Sequence, residues 1–391
     1  MFHLRTVLNG AYSISYVANR KICHFLFKKQ GKNEKSIKEK RNAHTSGKRI
    51  AGGYGMDQTQ GRQSICFQRA PHIIGTSSVV GKKEGEGPLG SAFSVVSQDD
   101  LFGEDCWEKA ESEMQKEALT TAIEGAGISK DQIRYLYGGD LLGQLIATSF
   151  GLESFGIPWF GLYGACSTCG EALALAAMTV AGGFADYTAA VTSSHFASAE
   201  KQFRFPLAYG NQRPLSATWT VTGSGAFVLG KTGGHVRVTG ITVGKVTDFG
   251  VQDAMNMGAC MAPASCDTIA RHFRDFGRGP LDYDKIITGD LGYVGQEILL
   301  NLLKKEGYDI SQKHMDCGIE IYDRETQDTH AGGSGCGCSA TVLSALILPN
   351  LRKGIWKKVL FVPTGALMSP VSFNEGQSVP GIAHGIILEH C

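Results

Sequence analysis

Apolar positions along the chain follow two rhythms. Trp107, Ala110, Met114, Ala118 and Ala122 recur at three- and four-residue spacing among Glu and Lys, which predicts a surface helix over residues 104–126 with one buried stripe. Residues 171–181 and 341–351 are mainly small and aliphatic and have no broad polar face, so each predicts a helix enclosed on most sides. Short apolar runs at 187–193, 222–229, 358–364 and 382–389 predict strands between them.

The order of these elements repeats. Tyr137-Gly138-Gly139-Asp140-Leu141-Leu142-Gly143-Gln144 is echoed by Ile287-Thr288-Gly289-Asp290-Leu291-Gly292-Tyr293-Val294-Gly295-Gln296. Each copy is followed by a small-residue turn, an enclosed helix, an apolar strand and a strand containing glycine. The two turns are Gly164-Ala165-Cys166-Ser167-Thr168-Cys169 and Gly332-Gly333-Ser334-Gly335-Cys336-Gly337-Cys338-Ser339. One α/β unit written twice, over about residues 56–235 and 236–391, predicts a layered α-β-α-β-α body with two buried central helices and a pseudo-twofold axis.

Composition adds limits. The formal net charge of +1 hides a basic start, because residues 1–55 carry twelve Lys and Arg against Glu34 and Glu39, leaving the remainder acidic. That start lacks a sustained apolar face and ends in a glycine-rich stretch before Met56, so we read residues 1–55 as a leader outside the working protein and expect no nucleic-acid partner. Its basic residues lie mostly after its apolar stretch, which does not fit a secretory signal. No run reaches the roughly 18 apolar residues of a spanning helix, so the protein is expected to be soluble or peripheral on a membrane. The 11 cysteines are odd in number and scattered, which fits a reducing compartment rather than a disulfide framework.

A Gly-Ala-Cys-Ser turn ahead of a buried helix in a duplicated body resembles the thiolase and ketoacyl-synthase superfamily. Gly85-Glu86-Gly87-Pro88-Leu89-Gly90, Gly138-Gly139-Asp140-Leu141-Leu142, Gly164-Ala165-Cys166-Ser167-Thr168, Thr192-Ser193-Ser194-His195, Gln202-Phe203-Arg204, Met261-Ala262-Pro263 and Ile382-Ala383-His384-Gly385 together resemble the stage V sporulation protein AD family, over about residues 64–389. That resemblance implies binding of dipicolinic acid, with or without calcium, and a role in its uptake into the developing spore. It also implies work beside membrane components at the inner spore membrane, and superfamily analogy implies a homodimer.

Cys166, before a helix start, occupies the superfamily's nucleophile position; the helix dipole favours a thiolate there, although a buried cysteine in a tight turn also packs as a small hydrophobe. The resemblance puts Asp290 where starter-type ketoacyl synthases carry histidine and Ser334 where they carry asparagine. An ionised carboxylate cannot donate to an oxyanion, so Asp290 is expected to disable condensing chemistry unless it stays protonated. The alternative is an acyltransferase using Cys166 as acyl nucleophile with His330 or His384 as base. His195, His330 and His384 are candidate pocket residues, His195 equally readable as a satisfied buried histidine. Ser224, in the run Thr222-Gly223-Ser224-Gly225-Ala226, joins them as a ligand candidate, and Arg204, between Phe203 and Phe205, is the candidate fork for a ligand carboxylate. The backbone amides of residues 332–335 are further candidate anion contacts. Cys166-x-x-Cys169 and Cys336-x-Cys338 open helices rather than zinc knuckles, and the glycine turns match no nucleotide fingerprint, so neither metal nor cofactor is expected.

Overall fold

The computed structural model describes residues 58–203 and 212–391. Ten strands form one hydrogen-bonded path: β1 (His72–Val80), β2 (Ile133–Gly139), β3 (Trp159–Gly161), β4 (Tyr187–Ser194), β6 (Gly223–Gly230), β7 (Val236–Thr242), β8 (Lys285–Thr288), β9 (His314–Asp316), β11 (Lys358–Val362) and β12 (Gly385–His390). Off this path, the short strands β5 (Trp219–Thr220) and β10 (Gly333–Ser334) pair with each other, and Thr364–Ala366 pairs with Gly381–Ala383. The principal helices are α1 (Trp107–Ala126), α2 (Ile146–Glu153), α3 (Thr168–Ala181), α4 (Phe196–Phe203), α5 (Met257–Phe276), α6 (Gly292–Lys305) and α7 (Cys336–Val342).

The path reads β3-β2-β4-β6-β1 and then β7-β12-β11-β8-β9. Each half pairs its first three strands in parallel and its last two antiparallel, with β2 matching β8, β4 matching β11, β6 matching β12 and β1 matching β7. The halves meet through His72 and Arg237. The internal echo in the sequence is therefore a repeat of topology. Even the outer helices agree: α1 and α5 are each 20 residues long and each ends on a left-handed glycine, Gly127 and Gly277, where a side chain would be strained.

Two-residue alternation along the strands sorts the core into layers. On β6, Ala226 and Val228 pack towards α1, whereas Phe227 and Leu229 face the centre. On β11, Leu360 and Val362 pack towards α5, and Val359 and Phe361 face the centre. Between the two sheet halves lie α3 and α7, the enclosed helices that the sequence predicts. α7 is buried along its whole length and begins at Cys336, five residues before the predicted start, then runs through a π turn at Leu343–Ile347 into Leu348–Arg352. α1 begins at Trp107, since Glu104 and its neighbours are taken up in turns.

Candidate functional site

Both central helices start at the junction of the halves, and their leading turns face a small chamber. On one side the backbone turns through Ala165, at φ +50°, before Cys166 and the start of α3. Thr168 locks this turn, its hydroxyl donating to the Ala165 carbonyl at 2.6 Å and accepting the Gly164 amide at 3.0 Å. On the other side β5 and β10 pair in parallel, setting Thr220 opposite Ser334. Leu141, Ala199, Phe203, Met257, Ala366 and Met368 give the chamber apolar walls, and Tyr163, Cys166, Thr220 and Ser334 give it polar atoms. Its volume is about 30 Å3, room for about two waters. Leu141, Tyr163, Phe203 and Met368 also line an outer cavity of about 340 Å3, where Gly143, Gln144 and Gln202 meet solvent.

Asp290 sits behind the chamber, buried. One carboxyl oxygen accepts the Thr364 hydroxyl at 2.6 Å, the other accepts the Gly335 amide at 2.9 Å, and the Cys166 thiol lies close to the same carboxyl. Gly335 has to be glycine: its φ of +106° is open only to that residue, and a Cβ would stand 2.5 Å from the Ser194 hydroxyl oxygen. Burial pushes Asp290 up to about 7, despite these donors. Burial, then the Asp290 charge, pushes the Cys166 thiol well above its ordinary range; the Gly335 amide and Ser334 hydroxyl pull the other way and lose. The thiolate expected from the helix start is therefore outweighed, and Cys166 is a thiol near neutral pH.

The structure brings Cys166, Asp290 and Ser334 together. The remaining candidates among the described residues are placed elsewhere. His195 is buried, with Nε2 donating to the Asp100 carbonyl at 2.8 Å and Nδ1 accepting the Ala197 amide at 3.1 Å, so both ring nitrogens are used structurally. His330 spans the Pro214 carbonyl at 2.9 Å and the Asp328 carboxylate at 3.1 Å. His384 accepts the Gly244 amide at 3.3 Å, and burial pushes its pKa down to about 4. Ser224 is buried within β6 and donates to the Thr192 carbonyl at 3.3 Å. None of these four lines the chamber. Arg204 lies outside the described residues. The Gly332 and Gly335 amides are committed to the Thr329 carbonyl and to Asp290, so they are not free for an anion. Among the described residues no cluster of His, Cys, Asp and Glu is arranged to hold a metal ion.

Sequence reasoning did not single out Thr220, Tyr163, Phe203, Met257 or Met368 as lining residues. Their common feature is position: each lies at, or within two residues of, the end of an element beside the chamber, and no local motif marks that. Tyr163 is the most consequential: the residue is 44% exposed, yet desolvation of its phenol first and the neighbouring Cys166 next push it up to about 12, keeping it a donor.

A duplicated α/β body with a cysteine turn at the junction of its halves defines a thiolase-like condensing-enzyme fold. Solved structures agree: Xanthomonas campestris OleA with acetamide bound superimposes with a TM-score of 0.54 at 14% identity, over 83% of this chain and 100% of that one. The 3-oxoacyl-[acyl-carrier-protein] synthase III of Aquifex aeolicus VF5 gives 0.50 at 14% identity, over 82% and 99%. More narrowly, the profile of the stage V sporulation protein AD family matches residues 61–389. Stage V sporulation protein AD of Bacillus subtilis (strain 168) is 44% identical over 329 residues, covering 84% of this chain and 97% of that protein. The chain belongs to the stage V sporulation protein AD family, and is a sporulation protein on a thiolase-like scaffold.

Proposed function

We propose that this protein binds dipicolinic acid at the chamber beside Cys166 and assists its uptake into the developing spore, without the condensing chemistry of its scaffold. The observation that carries this reading is the Asp290 carboxyl on the Cys166 thiol. It raises the cost of the thiolate and supplies no cation or fixed donor for an oxyanion.

Dipicolinic acid is a flat pyridine with two carboxyls, so a receptor needs apolar walls for the ring and donors for the acids. Leu141, Phe203 and Met368, shared by chamber and mouth, supply walls, and the hydroxyls of Ser334, Thr220 and Tyr163 supply donors. A chamber of about 30 Å3 takes one carboxyl, and the ring and second carboxyl lie in the outer cavity, where calcium can accompany them.

The same reading sets the protein peripherally at the inner membrane of the developing spore, beside membrane components of the uptake system; no helix among the described residues is long and apolar enough to cross a membrane. It also pairs two copies across β3, an edge strand with no neighbour beyond it among the described residues, which carries half-exposed Phe160.

Calorimetry of the full chain with dipicolinate should give saturable binding. Ser334→Ala should weaken it roughly tenfold or more, since losing a hydrogen bond to an ionised group costs about 1.5–3 kcal/mol. An absence of heat at millimolar ligand contradicts the proposal.

One observation favours acyl transfer: the left-handed turn at Ala165 presents the Cys166 sulfur to the chamber. Incubation with acyl-coenzyme A followed by intact mass measurement separates the readings. Unchanged mass is expected, whereas an adduct lost in Cys166→Ser favours the enzyme.

A further inference from the structure

The described chamber contains no Lys, Arg or His side chain, yet a carboxylate sits one side chain behind its wall. The thiol between them has a single hydrogen. That thiol lies close to Asp290, which already takes the Thr364 hydroxyl and the Gly335 amide. We infer that Asp290 is a positioning residue that sets the charge the chamber accepts, by deciding whether the Cys166 thiol hydrogen points back at Asp290 or forward into the chamber. This inference rests on the ligand reading above.

Two states follow from hydrogen-bond stoichiometry. An ionised Asp290 only accepts, so it captures the thiol hydrogen and leaves the sulfur lone pairs and a negative charge facing an incoming anion. A protonated Asp290 becomes a donor to the Cys166 sulfur, which frees the thiol hydrogen for a ligand carboxylate beside the Ser334 hydroxyl. The proton comes from solvent and no bond to carbon or sulfur is made or broken.

The groups facing Asp290 among the described residues include no cation: Thr364, Cys166 and Gly335 lower its pKa, and burial outweighs them. Cys166 approaches from the turn before α3, Ser334 from β10, Gly335 from the residue before α7, and Thr364 from just beyond β11. The Asp316 carboxyl on β9 raises Asp290 electrostatically, and Asp290 in turn raises the thiols of Cys338 on α7 and Cys317 after β9. Asp316 is itself tied to the Thr288 hydroxyl at 2.6 Å and to the Leu291 and Gly292 amides at 2.9 and 3.0 Å, so it fixes the turn that carries Asp290. All these partners are neutral or acidic.

The test is the pH dependence of dipicolinate affinity by calorimetry between pH 6 and pH 8, where the ligand's own carboxyls stay ionised. Wild type should bind about tenfold more weakly at pH 8 than at pH 6, as linkage to one proton requires. At pH 7, titrations in buffers of differing ionisation heat should show uptake of about half a proton per ligand, a reading that needs no variant. Asp290→Asn, which keeps an amide donor towards the sulfur, should bind with a flat profile. Binding without pH dependence or proton uptake in wild type overturns the inference and leaves the ligand reading standing, and so does a slope retained in Asp290→Asn. No binding at any pH overturns both.

Discussion

A buried carboxyl such as Asp290 can only take hydrogen bonds once ionised, and its charge raises the neighbouring Cys166 thiol. Its burial also carries a stability signature. The carboxyl is raised from 3.8 in the unfolded chain to about 7, so the folded protein holds a proton that the unfolded chain has released. Stability from this group is present below the lower value and is lost as pH rises through the upper one. Asp290→Asn should therefore flatten the fall in thermal midpoint between about pH 4 and pH 7 relative to wild type, as followed by circular dichroism; an unchanged slope would show that the carboxyl does not titrate in that interval. The turns that carry Cys166, Asp290 and Ser334 were legible because they repeat and because they resemble turns of a known superfamily. The histidines lie on no such turn, and buried imidazoles are as readily used for backbone hydrogen bonds as for ligands. His195 and His384 both serve that purpose here.

At the scale of elements, α1 carries two buried stripes where periodicity shows one. Ala110, Met114, Ala118 and Ala122 pack on the first sheet half as their spacing predicts. Beside them Glu111 and Gln115 are equally buried. Glu111 accepts the Ser193 and Ser198 hydroxyls, each at 2.8 Å, and Gln115 donates to Ser193 at 2.6 Å and Thr148 at 2.9 Å. Burial, then the nearby Asp140 carboxyl, raises Glu111, so it is largely neutral near pH 7. This network underlies the chamber wall, since Ser198 precedes Ala199 and Asp140 precedes Leu141. Polarity hid it from a reading based on apolar spacing. Met114→Ala should destabilise the protein by about 2–5 kcal/mol, the usual cost of deleting a fully buried methionine side chain, as read by chemical denaturation. A change below about 1 kcal/mol would mean that α1 is held by its polar stripe instead.

For the whole molecule, duplication explains why the fold was more legible than the site. Each half repeats the same strand order and the same outer and central helices, so weak signals in one copy reinforce those in the other. The chamber has no such redundancy. It is assembled from unlike residues at the junction, Met257 and Met368 from one half and Tyr163 and Phe203 from the other. Pairing of two copies across β3 predicts that Phe160→Asp converts a dimer into a monomer in light scattering; a wild-type monomer contradicts that pairing. The central claim is that the thiolase-type chamber now holds a ligand rather than an acyl group. A crystal soaked with dipicolinate measures it directly. The account predicts one carboxylate against Ser334 and Cys166 and the ring between Tyr163, Phe203 and Met368, with no bond to sulfur. Dipicolinate bound only elsewhere on the molecule, with the chamber empty, would contradict it.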